Sequence, residues 1–232
     1  MRVSEKNKEA PGGLVAITGG IAAGKSRVAQ YLMEHAGLRG IDVDHLSRQL
    51  LEPDQAGWLA LERNFGSRFF RTDRTIDRPL LRRAIFTDPG LRSRIDRLLH
   101  PLIRAAMQVR AAELRRAGAG TVLVEVPLLY EAGWEDDFSL VLVVWAPEEV
   151  CLQRLCRRDE VCREEARATL AAQMPQAEKV RRADLVVENS ADWPTTCRQL
   201  DRLIPRLQKA ANRPAKAAGD PELSGDLSEI SR

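Results

Sequence analysis

One eight-residue stretch constrains the fold of this chain more than any other feature of its sequence. Residues 19–26 read Gly-Gly-Ile-Ala-Ala-Gly-Lys-Ser, which has the spacing G-x-x-x-x-G-K-S. The apolar run before it, residues 14–18, predicts a buried strand, and the spacing of Val28, Leu32 and Met33 after it predicts a helix. A glycine-rich loop in that context is a phosphate loop, and a buried strand feeding a helix favours an α/β fold with a parallel sheet.

The residues of this loop have distinct expected roles. Backbone N–H groups and the start of the following helix attract phosphate oxygens. Lys25 can bridge the β- and γ-phosphates of ATP, and the Ser26 hydroxyl can ligate Mg²⁺, so both are expected as cofactors. No guanine-reading Asn-Lys-x-Asp follows, which argues against a switch GTPase. The predicted nucleotide-binding residues are Gly20, Ile21, Ala22, Ala23, Gly24, Lys25, Ser26 and Arg27.

Further strands and helices alternate along the chain. Short strands are predicted at residues 40–44, 121–126, 140–145 and 184–188. The last three are apolar without alternation, which indicates burial on both faces. We therefore predict a doubly wound parallel sheet of about five strands.

The long interval between the second and third predicted strands is helical and rich in arginine. Residues 45–118 are too many for a simple crossover, so they predict a helical insertion. Breaks are expected at Pro53, around Gly66, at Pro79 and at residues 88–90, and a periodic helix over about residues 102–117 ends the segment.

The ends of the chain differ from its centre. Residues 1–12 are a polar leader without the apolar core of a signal peptide, and residues 13–204 form the predicted domain. Residues 205–232 are rich in Ala, Pro, Ser and charge, which predicts a disordered tail. Within the domain, two short helices in residues 148–178 are placed to form a lid.

Composition narrows the possible partners and compartment. The net charge of +3 gives no reason to expect nucleic acid binding. No apolar run approaches the ~18 residues of a membrane helix, and the four cysteines suit free thiols, so a cytoplasmic protein is expected. Lysine is scarce: only Lys25 and Lys179 lie between residues 9 and 208, which suggests that these two positions need a compact ammonium.

Carboxylates follow two of the predicted strands. Asp42 and Asp44 end the second strand and could accept a proton from an acceptor hydroxyl or help to hold Mg²⁺. The alternative is a helix N-cap; function is favoured for Asp44, and the two roles are balanced for Asp42. Glu125 ends the third strand, where a carboxylate can order Mg²⁺ or its water, or form a cap or salt bridge.

Candidate cations lie in the predicted lid. Arg154 and Arg158 are one helical turn apart and could neutralise charge on a transferred phosphoryl group. Arg157 fits a solvated helix face. His100 stands before Pro101 between two helical patterns, where a structural histidine is the more common case and the proline can start a helix.

Taken together and in order, these pieces resemble the dephospho-coenzyme A kinase family over roughly residues 14–204. The specific matches lie beyond the phosphate loop. They are Asp42-Val43-Asp44 with Arg48 and Leu50, Leu99-His100-Pro101-Leu102-Ile103, Val126-Pro127-Leu128-Leu129-Tyr130-Glu131, Gln153-Arg154-Leu155 with Arg158, Gln173-Met174 with Lys179, and Ala183-Asp184 with Asn189.

The resemblance implies a P-loop kinase-type fold and transfer of phosphate from ATP to the ribose 3′-hydroxyl of dephospho-CoA. It implies Asp44 as the catalytic carboxylate, with Lys25 and Arg154 assisting, and the helical insertion as the part that holds the CoA moiety. Small molecules would be the only partners of a monomer or weak homo-oligomer. The implied substrate-binding residues are Asp44, Arg48, His100, Pro127, Leu128 and Arg158, and the implied metal ligands are Ser26 and Glu125.

The sequence departs from the family pattern at four places. They are the Ala22-Ala23 pair in the loop, Glu125 where the family has Asp, Arg27 in place of a small residue, and the lid turn Glu160-Val161-Cys162. Two alternatives are considered; the ordered motifs beyond the loop argue against the first, whereas the Ala22-Ala23 pair and the basic helical insertion keep the second open. One is a kinase for another small acceptor, such as a nucleoside monophosphate or shikimate, and the other is a regulatory module that binds nucleotide without transferring phosphate.

Overall fold

A computed structural model describes residues 13–210 of the chain, which form two compact units. The first contains residues 13–41 and 114–210, and the second is Asp42–Glu113. The strands are β1 (Leu14–Gly19), β2 (Arg39–Asp42), β3 (Val122–Glu125), β4 (Leu140–Trp145) and β5 (Leu185–Glu188). The helices are α1 (Lys25–Ala36), α2 (Val43–Leu50), α3 (Ala56–Phe65), α4 (Arg78–Thr87), α5 (Pro89–Arg116), α6 (Glu148–Asp159), α7 (Arg163–Ala171), α8 (Gln176–Arg181) and α9 (Trp193–Lys209).

The sheet of the first unit has five parallel strands, as predicted, and their order is β2-β3-β1-β4-β5. The central strand β1 lies between β3 and β4, with Ile17 opposite both Glu125 and Leu142. Every residue of β1 is buried, as are five of the six residues of β4. Burial of both faces explains why these strands are apolar without alternation.

Helices α1 and α9 cover part of this sheet. Val28 and Leu32 of α1 and Leu200 and Leu207 of α9 belong to the apolar cluster that includes β1 and β4. The predicted domain boundary at residue 204 falls inside α9, which continues to Lys209 and has Leu207 fully buried. The rest of the predicted tail and the predicted leader lie outside the described residues.

The second unit is built from α2, α3, α4 and most of α5. Its core contains Trp58, Leu61, Phe69 and Ile95, all almost fully buried. The indole N–H of Trp58 donates to the Arg74 carbonyl at 2.7 Å, which satisfies the buried nitrogen. None of the helices within residues 13–210 is both long and apolar enough to cross a membrane.

The prediction of a break at His100-Pro101 was wrong. Helix α5 runs without interruption from Pro89 to Arg116, with Pro101 inside it. Its buried residues recur at helical spacing on both sides of the proline, and this packed face outweighs the backbone hydrogen bond that proline removes. The residues of that face are Leu91, Ile95, Leu99, Ile103, Met107 and Ala111.

Candidate nucleotide-binding site

The predicted phosphate loop connects β1 to α1 in the first unit. Ala23 N–H donates to the Gly20 carbonyl at 3.2 Å, which closes a tight turn. Ala22 and Gly24 have positive φ values of 59° and 97°, so the backbone curls into the concave form that turns successive N–H groups inward. A β-carbon at Gly24 would also lie 2.2 Å from the amide nitrogen of Asn189, so only glycine fits there.

Lys25 is the first residue of α1, and its ammonium lies against the loop. The Nζ donates to the carbonyl oxygens of Gly20 at 2.9 Å and Gly19 at 3.2 Å. A flexible ammonium with three donors can exchange such carbonyl contacts for phosphate oxygens. The expected phosphate-bridging cation is therefore present at the mouth of the loop.

Ser26 and Glu125 meet beside Lys25. The Ser26 hydroxyl donates to Glu125 Oε1 at 2.8 Å, although 99 residues separate the two. Glu125 reaches this position because it is the last residue of β3, which pairs with β1. A hydroxyl and a carboxylate are hard oxygen donors, and Mg²⁺ prefers one or two of these together with phosphates and waters. No group of three or more His, Cys, Asp or Glu that could hold a metal occurs within residues 13–210.

Asn189, which follows β5, supports the phosphate loop, and the site prediction missed it. Its side-chain amide donates to the Ala23 carbonyl at 2.7 Å, and its oxygen accepts from Thr196 at 3.2 Å. Its backbone N–H donates to the Trp145 carbonyl at 2.7 Å. Asn189 therefore fixes the loop to β4 and α9. The sequence feature that could have identified Asn189 was its position directly after the fifth predicted strand.

The predicted lid arginines have different positions. Arg154 is half-buried and donates to the Asn189 carbonyl at 2.9 Å, so it lies beside the loop support. Arg158 is exposed and makes two hydrogen bonds to Asp159, at 2.7 Å and 3.0 Å. These bonds raise the pKa of Arg158. The structure thus brings Arg154 to the loop and leaves Arg158 paired within α6.

Arg27 and Leu128 are two further predicted ligand-binding residues of the first unit. The Arg27 guanidinium lies 3.9 Å from the centroid of the Trp193 ring, a cation–π contact at the start of α9. Leu128 is 39% exposed, whereas the next residue, Leu129, is fully buried. An exposed leucine in the connection after β3 is available to an apolar part of a ligand.

A buried ion pair underlies the Pro127–Glu131 connection, and it was also missed. Lys179 of α8 has no exposed surface, and its Nζ lies 2.8 Å from Glu131 Oε1. It also donates to the Pro127 carbonyl at 3.5 Å, and that carbonyl accepts from Thr18 at 3.4 Å. The scarcity of lysine singled out Lys179 in the sequence, but it did not identify Glu131 as its partner.

Four predicted residues lie in the second unit. Asp44 was expected on a strand, but β2 ends at Asp42 and Asp44 lies in the first turn of α2. Asp42 is the N-cap of α2, with its carboxylate accepting from His45 N–H at 3.1 Å, so the capping alternative is correct for it. Arg48 lies in the last turn of α2. His100 lies on α5 with its Nε2 3.8 Å from an oxygen of Asp96.

Known proteins resemble this chain over most of its length. The family model for dephospho-CoA kinase matches residues 13–194. Dephospho-CoA kinase of Anaeromyxobacter dehalogenans is 40% identical, over 86% of this chain and 94% of its own length. That of Geobacter metallireducens is 40% identical, over 81% of this chain and 92% of its own.

Solved structures also resemble this chain over most of its length. The crystal structure of TT1252 from Thermus thermophilus has a TM-score of 0.73 and 33% identity, and the match covers 85% of this chain and 99% of that one. Dephospho-CoA kinase from Campylobacter jejuni has a TM-score of 0.63 and 26% identity, covering 84% of this chain and 97% of that one. On the family model, the relatives and the phosphate loop, this chain belongs to the dephospho-CoA kinase family.

Proposed function

We propose that this protein transfers the γ-phosphoryl group of ATP to the ribose 3′-hydroxyl of dephospho-CoA, giving CoA and ADP. The observation that carries the proposal is the family match over residues 13–194, which includes a complete phosphate loop. The acceptor oxygen forms a bond to the γ-phosphorus, the bond from that phosphorus to the β–γ bridging oxygen breaks, and the hydroxyl proton passes to a carboxylate.

The donor side of the reaction uses the loop. Backbone N–H groups of residues 20–27 and the start of α1 would hold the phosphates, apart from the Ile21 and Ala23 N–H groups, which donate to Gln173 and to the Gly20 carbonyl. Lys25 would exchange its Gly19 and Gly20 carbonyls for phosphate oxygens. Arg154 would offset negative charge on the transferred group, supported by its bond to Asn189. These fixed charges need little reorganisation during the reaction, which is how a phosphoryl-transfer enzyme lowers its barrier.

Ser26 and Glu125 are the residues that would hold Mg²⁺. Their oxygen atoms already lie 2.8 Å apart, and both donor types suit this ion. Mg²⁺ bound there would neutralise charge on the β- and γ-phosphates. Glu125 supplies the charge of the family's aspartate on a side chain that is longer by one methylene.

The acceptor side depends on Asp44, which we propose as the carboxylate that orients and deprotonates the ribose hydroxyl. Its support is the family's Asp-x-Asp pattern and its position two residues after the end of β2. Further substrate contacts are proposed for Arg48, His100, Pro127, Leu128 and Arg158. Arg158 would have to exchange Asp159 for the substrate. The proposal includes a cytoplasmic monomer or weak homo-oligomer that needs no macromolecular partner.

A coupled assay for ADP release, with and without dephospho-CoA, tests the proposal. ADP release that depends on dephospho-CoA supports it, and the product should carry the new phosphate on the 3′-oxygen by NMR. Release that depends instead on a nucleoside monophosphate or shikimate would show a different kinase. ATP binding without acceptor-dependent release would show a regulatory module.

The Asp44→Asn variant tests the catalytic assignment. We expect turnover to be nearly abolished while ATP binding stays close to that of the wild type, because the amide cannot accept the proton. The Asp42→Asn variant is the matched control, since asparagine also caps helices well. Substantial turnover in Asp44→Asn would remove Asp44 from the catalytic role.

A further inference from the structure

The phosphate loop is hydrogen-bonded to the lid through one side chain that the proposed mechanism does not use. Gln173 Oε1 accepts from the backbone N–H of Ile21 at 3.0 Å, across 152 residues of sequence. Gln173 is half-buried, and its own N–H donates to the Leu170 carbonyl at 3.2 Å, just beyond the end of α7. Its side chain is thus held at the C-terminal end of a lid helix and points to the second residue after β1 ends.

Apolar contacts join the same two parts of the molecule. Leu152 and Leu155 of α6 and Ala166 of α7 form a small buried cluster between the lid helices. Ile21 and Ala22 of the phosphate loop pack against this cluster. Ile21 is therefore fixed to the lid by its side chain and by its N–H, so the loop and the lid are packed together in this structure.

The backbone next to Gln173 is held by the ion pair between Lys179 and Glu131. The N–H of the next residue, Met174, donates to Glu131 Oε1 at 3.1 Å. The same oxygen pairs with Lys179 Nζ at 2.8 Å. Since Lys179 is fully buried and also contacts the Pro127 carbonyl, this oxygen has a fixed position. The backbone that carries Gln173 is thus attached to the connection that follows β3.

We propose that Gln173 is a positioning residue that sets the phosphate loop for ATP, with the Lys179–Glu131 pair as its anchor. The Ile21 N–H belongs to the Gly20–Ile21 peptide, one residue before Ala22, whose φ of 59° is unfavourable for alanine, so the turn needs outside support. The hydrogen bond holds this peptide in the orientation that the inward N–H groups of the loop require. Gln173 contacts no reacting atom in the proposed phosphoryl transfer, so its replacement should change the affinity for the nucleotide.

The experiment compares Gln173→Met with Gln30→Met. The first retains the size of the side chain and removes the acceptor for Ile21. The second makes the same change on the exposed face of α1, where the amide bonds only to Glu34. The affinity of a non-hydrolysable ATP analogue with Mg²⁺ is measured by calorimetry, and steady-state kinetics and melting temperatures are measured on the same preparations.

We expect Gln173→Met to raise the Kd for the analogue and the KM for ATP about five-fold, the effect of one lost hydrogen bond. The KM for dephospho-CoA and the kcat should change less than two-fold, and Gln30→Met should match the wild type. A lowered melting temperature with unchanged Kd and KM would show a merely structural residue and overturn the proposal. The inference rests on ATP as the donor, but the binding measurement needs no acceptor. Absent turnover on dephospho-CoA would therefore refute the proposed function alone.

Discussion

Replacing Lys179 by methionine isolates the buried ion pair that it forms with Glu131. Methionine has nearly the length of lysine and fills the same apolar volume, so the change removes the ammonium without opening a large cavity. Glu131 then keeps only the Met174 N–H among the contacts described above. A carboxylate that loses its cation in a largely buried site must be solvated or protonated, and either is unfavourable.

The magnitude follows from the exposure of the two partners. Removing one member of a buried ion pair costs about 3–5 kcal/mol. The Glu131 side chain is 19% exposed, so water can partly solvate it, and we place Lys179→Met at the lower end, about 3 kcal/mol. For a chain of this size that lowers the melting temperature by roughly 6–12 °C. Glu131→Gln should cost at least as much, because the Lys179 ammonium has no exposed surface.

A double-mutant cycle measured by urea denaturation checks this reasoning. Circular dichroism and tryptophan fluorescence must give coincident transitions before a free energy of unfolding is assigned. The double variant Lys179→Met/Glu131→Gln should lose at least about 2 kcal/mol less than the sum of the single changes, since it leaves no unpaired charge. A cost below about 1 kcal/mol for Lys179→Met, or additive single changes, would refute the claim that the pair is buried and coupled.

Three further outcomes are expected. Glu125→Gln should raise the Mg²⁺ concentration that gives half-maximal activity about ten-fold, measured in the ADP-release assay, because a charged ligand is lost. Burial raises the pKa of the Cys151 thiol, so iodoacetamide followed by mass spectrometry should label exposed Cys162 well before it. Hydrogen bonds from Thr195 lower the pKa of Asp192 below its ordinary value of 3.8. The ionised carboxylate therefore stabilises the fold above pH 3.8, and this stabilisation is lost as the pH falls through the lowered pKa. Asp192→Asn should therefore flatten the acid limb of melting temperature against pH.

Those parts of the fold that depend on local pattern were predictable from the sequence. The runs that became β1, β3 and β4 are apolar because both faces of the sheet are covered, and burial of this kind is visible in composition alone. The prediction of burial on both faces was wrong for β5, where only Leu185 and Val187 are buried. The phosphate loop was predictable because its glycines and its lysine are needed at fixed spacing. The pairing of Ser26 with Glu125 followed once both strand ends were assigned to one edge of the sheet.

The rest depended on contacts between distant residues. Pro101 indicates a helix boundary locally, but the buried face of α5 continues through it, and only the packing partners show which effect prevails. Asp44 falls on a helix because Asp42 caps α2, a choice that two aspartates at this spacing leave open. The amides of Gln173 and Asn189 bind loop atoms 152 and 166 residues away, and no sequence period encodes a side-chain hydrogen bond of that range.

The alanine pair in the loop is tolerated because of those distant contacts. Ala22 adopts a left-handed backbone that costs an alanine about 1–2 kcal/mol relative to the right-handed region. A strained residue persists only where its surroundings determine its conformation more strongly than its own preference. Here the Ile21 N–H before it is held by Gln173, and the Ala23 carbonyl after it is held by Asn189. The Gly20–Ile21 and Ala23–Gly24 peptides, one residue to either side of Ala22, are thus held, and the loop imposes on Ala22 a conformation that glycine would adopt freely. Gln173 and Asn189 therefore offset the conformational cost of the alanine.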